Sequence, residues 1–166
     1  MQSEYLHLLL VPALTHALPL AALGLLLAIV FRSPAASRLA LALILISGAM
    51  VWPAVHYGEA SYDQVKSMIY AGGVDWLNVH RWRAAHYAWV FYVAAGCALF
   101  ALLLPLKWPR CRQPLTLLTL VAALGASAAG SYIAYPGGRV RHKELRHGPP
   151  SATERHSAQK ACDPPP

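Results

Sequence analysis

Acidic side chains are scarce in this chain: 7 Asp and Glu stand against 14 Lys and Arg, and charged residues make up only 13% of 166. From Leu8 to Phe31 there is no charged residue at all. An ordinary soluble domain needs more polar surface than this, so the composition points to a small integral membrane protein with room for one bundle. Cysteine is scarce too. Cys97, Cys111 and Cys162 show no paired spacing, which excludes a disulfide framework and a CxxC redox motif. Cys97 lies in an apolar run and reads as a small buried hydrophobe. A nucleophile–base pair, a phosphate-binding glycine loop and paired carboxylates are all missing, so no independent hydrolase or transferase is expected. Transport by the chain alone is not expected either, because the sequence shows no repeat and no pair of broken helices, and no buried Asp, Glu, Lys or Arg is foreseen. The net charge of +7 sits in short turns, before the third apolar run and near the end, which suits lipid head groups and not nucleic acid.

What is present is four apolar runs. Their lengths predict an all-α, integral membrane, up-down four-helix bundle with spans over about 8–31, 39–57, 83–106 and 115–135. Residues 1–138 form the transmembrane domain. Residues before His7 carry Glu4 and no Lys or Arg, so the first run is expected to be an uncleaved span and not a signal. Pro19 should kink span one. Between spans two and three, Tyr62, Val65, Met68 and Ile69 recur at helical spacing. Ser61 is placed as N-cap and Gly72-Gly73 as the stop, which predicts a short interfacial helix. Small residues in span four, Ala126 with Gly130 and Ser127 with Ser131, permit close helix approach, within the bundle or against a cofactor or subunit. Residues 139–166, basic and proline-containing, are expected to be a disordered tail, with His142, His147 and His156 lacking metal-ligand spacing.

The remaining histidines are the candidates for function. An ionisable group inside a span costs free energy unless it has a partner. His16 lies about 7–8 Å inside span one if the hydrocarbon begins near Val11, and His86 lies at the same rough depth in span three. Two imidazoles at matched depth on non-adjacent helices can hold a b-type haem from both sides, with His16 and His86 as metal ligands. His56, shallower, is the reserve ligand, and Arg81 and Arg83 are placed to meet the propionates. The other reading is that His16 and His86 hydrogen-bond within the chain and bind nothing. His7 and His80 are assigned to the interface, without a role.

Several short motifs carry a resemblance. Val11-Pro12-Ala13-Leu14-Thr15-His16-Ala17-Leu18-Pro19-Leu20, then His56-Tyr57-Gly58-Glu59, a histidine at the start of span three (His80 or His86), and Gly130 to Gly138 occur in order. Together they resemble a large, poorly characterised family of small bacterial four-helix membrane proteins whose first helix opens with His-Pro and a second histidine. Val11 stands where that family has its first histidine. Some similar domains are joined to Rieske iron–sulfur domains. The resemblance therefore implies a link to respiratory electron transfer, which joins the histidine reading to give a bacterial inner-membrane subunit that binds haem b or a quinone and has a redox partner protein. The alternative is a cofactor-free structural or assembly subunit packing on a larger membrane complex through span four. Arg32, Arg38, Lys107, Arg110 and Arg112 in the short turns place those turns in the cytoplasm, with both termini on the opposite, outer side.

Overall fold

The computed structural model describes residues 3–69, 72–146 and 148–162. Among these the regular structure is entirely helical: α1 (Ser3–Val30), α2 (Pro34–Ala49), α3 (Val51–Ala60), α4 (Tyr62–Met68), α5 (Val74–Lys107), α6 (Arg112–Arg141) and α7 (Ala152–Cys162), with single 3₁₀ turns at Pro109–Cys111 and Lys143–Leu145. Four helical stretches, Tyr5–Val30, Pro34–Ala60, Val74–Lys107 and Pro109–Arg141, are long and apolar enough to cross a membrane.

Local chemistry sets most boundaries. α2 starts five residues before the expected Leu39 because Ser33 caps it, accepting from the Ala36 amide at 3.3 Å, and Pro34 occupies the first turn. The helix breaks between Ala49 and Val51. Pro53 has no N–H to give the Ala49 carbonyl, so the ladder is interrupted there and resumes with Ala54 N donating to Met50 O at 3.2 Å.

The core inverts the usual size rule. Ala21 and Ala22 of α1, Ala40 of α2, Ala94, Ala98 and Ala101 of α5, and Ala123 and Ala126 of α6 are buried around Leu18, Leu25, Ile44 and Phe91. Leu20, Leu23, Leu26 and Leu27 face outward. Small residues let the helix backbones approach closely. At Gly48 the approach is closest: a Cβ there would lie 2.7 Å from the Phe91 carbonyl oxygen and 2.8 Å from Ala95 Cβ. α5 runs along α6 and α2, and α1 along α2 and α6.

Three expectations need correction. The helix of the third apolar run begins at Val74 and not at residue 83, because the mixed stretch from Asp75 to Arg81, with Trp76, Leu77 and Val79 buried, is already helical. A helix does form in the connection, but it is short, Tyr62–Met68. Ser61 stands at its N-cap position and its carbonyl accepts from Val65 N at 2.9 Å, but its hydroxyl makes no capping bond and donates instead to Gly58 O at 3.1 Å. The chain has left the helix by Ile69, before Gly72, which turns at φ 85°. Tyr70 lies outside the described residues. Nothing in α4 is buried, and Met68 is exposed.

The third correction concerns 139–166. α6 does not stop at Tyr135 but continues through Pro136-Gly137-Gly138 to Arg141. Residues 152–162 form α7, which folds back on α5 and buries Ala158. Ser151-Ala152-Thr153-Glu154 starts it: the Ser151 carbonyl accepts from Arg155 N at 3.0 Å, its hydroxyl accepts from Glu154 N at 3.3 Å and donates to Glu154 Oε2 at 2.8 Å. His142 sits 2.8 Å from Glu144 Oε1, and His147 and the final prolines lie outside the described residues.

Candidate functional site

The start of α1, the end of α3, the start of α5 and the end of α6 meet at one end of the molecule, around two histidines that sequence reading left without a role. His7 Nδ1 donates to Ala54 O of α3 at 2.8 Å. His80 Nδ1 donates to Ile133 O of α6 at 2.8 Å. A carbonyl only accepts, so both imidazoles carry the proton on Nδ1. The two rings meet edge to face, with centroids 6.5 Å apart.

The same device is used twice. Four residues beyond each accepting carbonyl stands a glycine, Gly58 after Ala54 and Gly137 after Ile133. A Cβ on Gly58 would lie 2.9 Å from His7 Cε1, and one on Gly137 would lie 3.0 Å from His80 Nδ1. Each glycine makes the space in which an imidazole from another helix reaches the backbone.

Arg83 completes this end. It is buried, which corrects the expectation that no charged residue would be. Pro136 has no N–H, so it cannot bond the Tyr132 carbonyl one turn earlier. Arg83 Nη1 donates to that carbonyl at 2.5 Å, and the guanidinium carbon stands 3.6 Å from the Tyr132 ring centroid. Nη2 pairs with Glu154 of α7. Burial pushes the Glu154 carboxyl up, but hydrogen bonds from Arg83 and Ser151 and the Arg83 charge outweigh it, and the net shift is down. One turn toward the chain end, Arg139 stacks over Tyr135 at 3.7 Å and over the buried Trp76 at 5.0 Å. The Arg83 Nε and Trp76 Nε1 hydrogens are buried without acceptors among the described residues.

The expected ligands lie elsewhere. His16 is exposed, and its Nδ1 is 2.9 Å from Pro12 O and 3.1 Å from Thr15 Oγ of its own helix. His86 is exposed, stacked on Trp82 at 5.5 Å and edge-on to Tyr87 at 5.0 Å. His56 is exposed and stacked on Trp52 at 5.5 Å. The last two belong to a short repeat that sequence reading overlooked. Trp52-Pro53-Ala54-Val55-His56-Tyr57 and Trp82-Arg83-Ala84-Ala85-His86-Tyr87 share Trp, Ala, His and Tyr at the same steps, and both make the Trp–His stack and the His–Tyr edge contact.

No hydrogen bond or ring contact joins His16 to His86. Arg81 pairs with Glu59 at 2.5–2.9 Å and lies 4.4 Å over Tyr62, so the two arginines expected at propionates point to different carboxylates. An open groove of about 450 Å³ is lined by Glu59, Arg81, Trp82, Ala85, His86 and Ala161, with His16 outside it. A haem held from both sides needs its ligands facing each other across one cavity, and His16 does not line the groove that holds His86. Among the described residues no three His, Cys, Asp or Glu are grouped to hold a metal ion.

Comparison with protein-family models, with curated proteins and with solved structures finds no match. What the fold defines is an all-helical protein with four helices long and apolar enough to cross a membrane.

Proposed function

We propose that the chain is a small multi-pass membrane subunit that works by docking on a larger membrane complex, with no cofactor held inside its own bundle. Its four long helices cross the bilayer up and down, with the His7–His80–Arg83 end and both termini on the outer side of a bacterial inner membrane. The basic turns after Phe31 and after Leu106 then face the cytoplasm, as the distribution of Lys and Arg favours. The buried alanines and outward leucines support this reading. In a membrane, helices gain nothing by hiding large apolar side chains from lipid, and they associate through small ones.

The observation that carries the docking role is His16. It is exposed, and with the hydrocarbon beginning near Val11 it stands about 7–8 Å inside the bilayer on the Tyr5–Val30 helix. An imidazole facing hydrocarbon at that depth is costly, and a covering partner helix removes the cost. A photo-reactive amino acid at position 16 should give one cross-linked protein of fixed mass in cells, while the same probe at Leu27 on the outward face should give lipid adducts only. Lipid adducts alone at both positions would sink the docking role.

A second reading is supported by the bond from His16 Nδ1 to Pro12 O, which leaves Nε2 with an outward lone pair, the orientation an axial ligand needs. In it, a haem b or quinone lies between this chain and a redox partner. That reading expects a Soret band in the co-purified complex made with ample haem, lost in His16→Ala. A colourless complex rejects haem.

A further inference from the structure

The groove beside His86 has unusual chemistry for an exposed face of a membrane helix. It holds one anion and one cation, Glu59 and Arg81, paired with each other yet 40% and 37% exposed. It holds an imidazole, His86, that has no hydrogen-bond partner among the described residues and is braced by the Trp82 indole. The wall supplied by α7 is only Ala161, and Ala85 is equally small, so polar groups can be reached from outside.

The same side of α5 continues away from the groove as an apolar track. Trp89, Val93 and Phe100 follow His86 at helical steps and are 59%, 48% and 56% exposed. Between them, Gly96 adds no side chain and faces open space: a Cβ there would meet nothing within 4 Å. A polar groove near the water boundary, continuous with an apolar track on one helix face, matches a lipid with its head in one and an acyl chain along the other.

Resting on the membrane reading above, we infer that this groove binds a phospholipid whose head group carries both a primary ammonium and a phosphate, of the phosphatidylethanolamine type. The ammonium sits against Glu59, the phosphate against Arg81 and the His86 N–H, and an acyl chain follows Trp89, Val93 and Phe100. The charge pattern selects this head group over its neighbours. A choline head cannot donate hydrogen bonds to Glu59, and a glycerol head brings no cation of its own to make up for the share of Arg81 that its phosphate takes from that carboxylate.

The test is native mass spectrometry of the full-length protein in detergent, stripped of lipid and titrated with phosphatidylethanolamine, phosphatidylcholine or phosphatidylglycerol of the same chains, or with soluble phosphoethanolamine. One phosphatidylethanolamine should be retained at about tenfold lower concentration than either other lipid, as expected for one or two charge-assisted hydrogen bonds. Glu59→Gln should erase the preference over phosphatidylglycerol. His86→Phe, which keeps a ring on Trp82, should weaken all three lipids by a few-fold, with helicity unchanged in both variants. Equal retention of the three lipids, or retention indifferent to both substitutions, overturns the site. Competition by soluble phosphoethanolamine as strong as by the lipid overturns the lipid as its source. The membrane reading fails separately, if alkaline carbonate washes the wild-type protein from membranes; a protein that resists washing but shows no lipid preference overturns the head-group site alone.

Discussion

The attachment of α7 hangs on one ion pair, and that makes it a sharp target. Arg83 is 5% exposed at its side chain and Glu154 24%, and the apolar contribution of α7 is small, with Ala158 its buried residue. Glu154→Gln keeps the shape and an acceptor oxygen but removes the charge. Deleting one partner of a fully buried pair costs about 3–5 kcal/mol. Here Glu154 is partly wet and Arg83 keeps the Tyr132 carbonyl and ring, so about 2 kcal/mol is the better figure for a lost charge-assisted bond. That corresponds to an undocked population of α7 raised about thirtyfold. Amide exchange over residues 152–162 in detergent should quicken accordingly while α5 and α6 stay protected. Acid should do the same to the wild type. The Glu154 carboxyl is held below its ordinary value of 4.5, so the docking it supports is complete above that value and is lost as pH falls through the lowered one. In an Arg83→Met background, which removes the buried charge, Glu154→Gln should cost little. Unchanged exchange in Glu154→Gln, or equal effects in both backgrounds, would refute the argument that this pair holds α7.

Two further substitutions test the close approaches. Gly48→Ala should destabilise by about 1–3 kcal/mol, because its Cβ meets the Phe91 carbonyl and Ala95 and neither can swing away; Gly125→Ala, with open space around it, should leave the thermal midpoint in detergent unchanged or raise it, a helical alanine being favoured by up to about 1 kcal/mol. Gly137→Ala should push His80 off Ile133 O and cost about 1 kcal/mol, and adding His80→Ala to it should cost almost nothing more; additive losses in thermal melts would show that the two residues do not act together.

How much of this was legible beforehand depends on which physical signal carried each feature. The four long helices follow from uninterrupted apolar length, and that signal is strong. The start of α7 was visible as Ser151-x-x-Glu154, but composition, few apolar residues among prolines and charges, argued louder for disorder. What composition omits is that Arg83 needs a counter-charge, and the carboxylate that gives it lies 71 residues away. His7 and His80 were passed over for a similar reason. Depth along a helix was used to rank histidines, yet depth says nothing about which side of the helix a residue occupies.

The side was readable, though not from hydrophobicity. Every face of a membrane helix is apolar, so the contrast that orients a soluble helix is missing. Residue size supplies it instead. Along α1 the buried positions Leu18, Ala21, Ala22, Leu25 and Ala28 step at three and four residues and collect the small side chains. His16 lies two residues from Leu18, about 200° around the helix and so on the opposite face. Along α5 the steps Ala94, Ala98 and Ala101 extend backward through Phe91 and Tyr87 to Arg83, His80 and Trp76. That line places His80 and Arg83 toward the neighbouring helix and His86 beside it. The same line ends opposite Pro136, which withholds a donor from Tyr132 O, and Gly137, which makes room beside Ile133 O. A proline followed by glycine in a helix of this kind thus marks where a cation or an imidazole from the next helix comes to rest. Here that place is occupied by side chains of the chain's own, which is why His7 and His80 at this end bond the backbone.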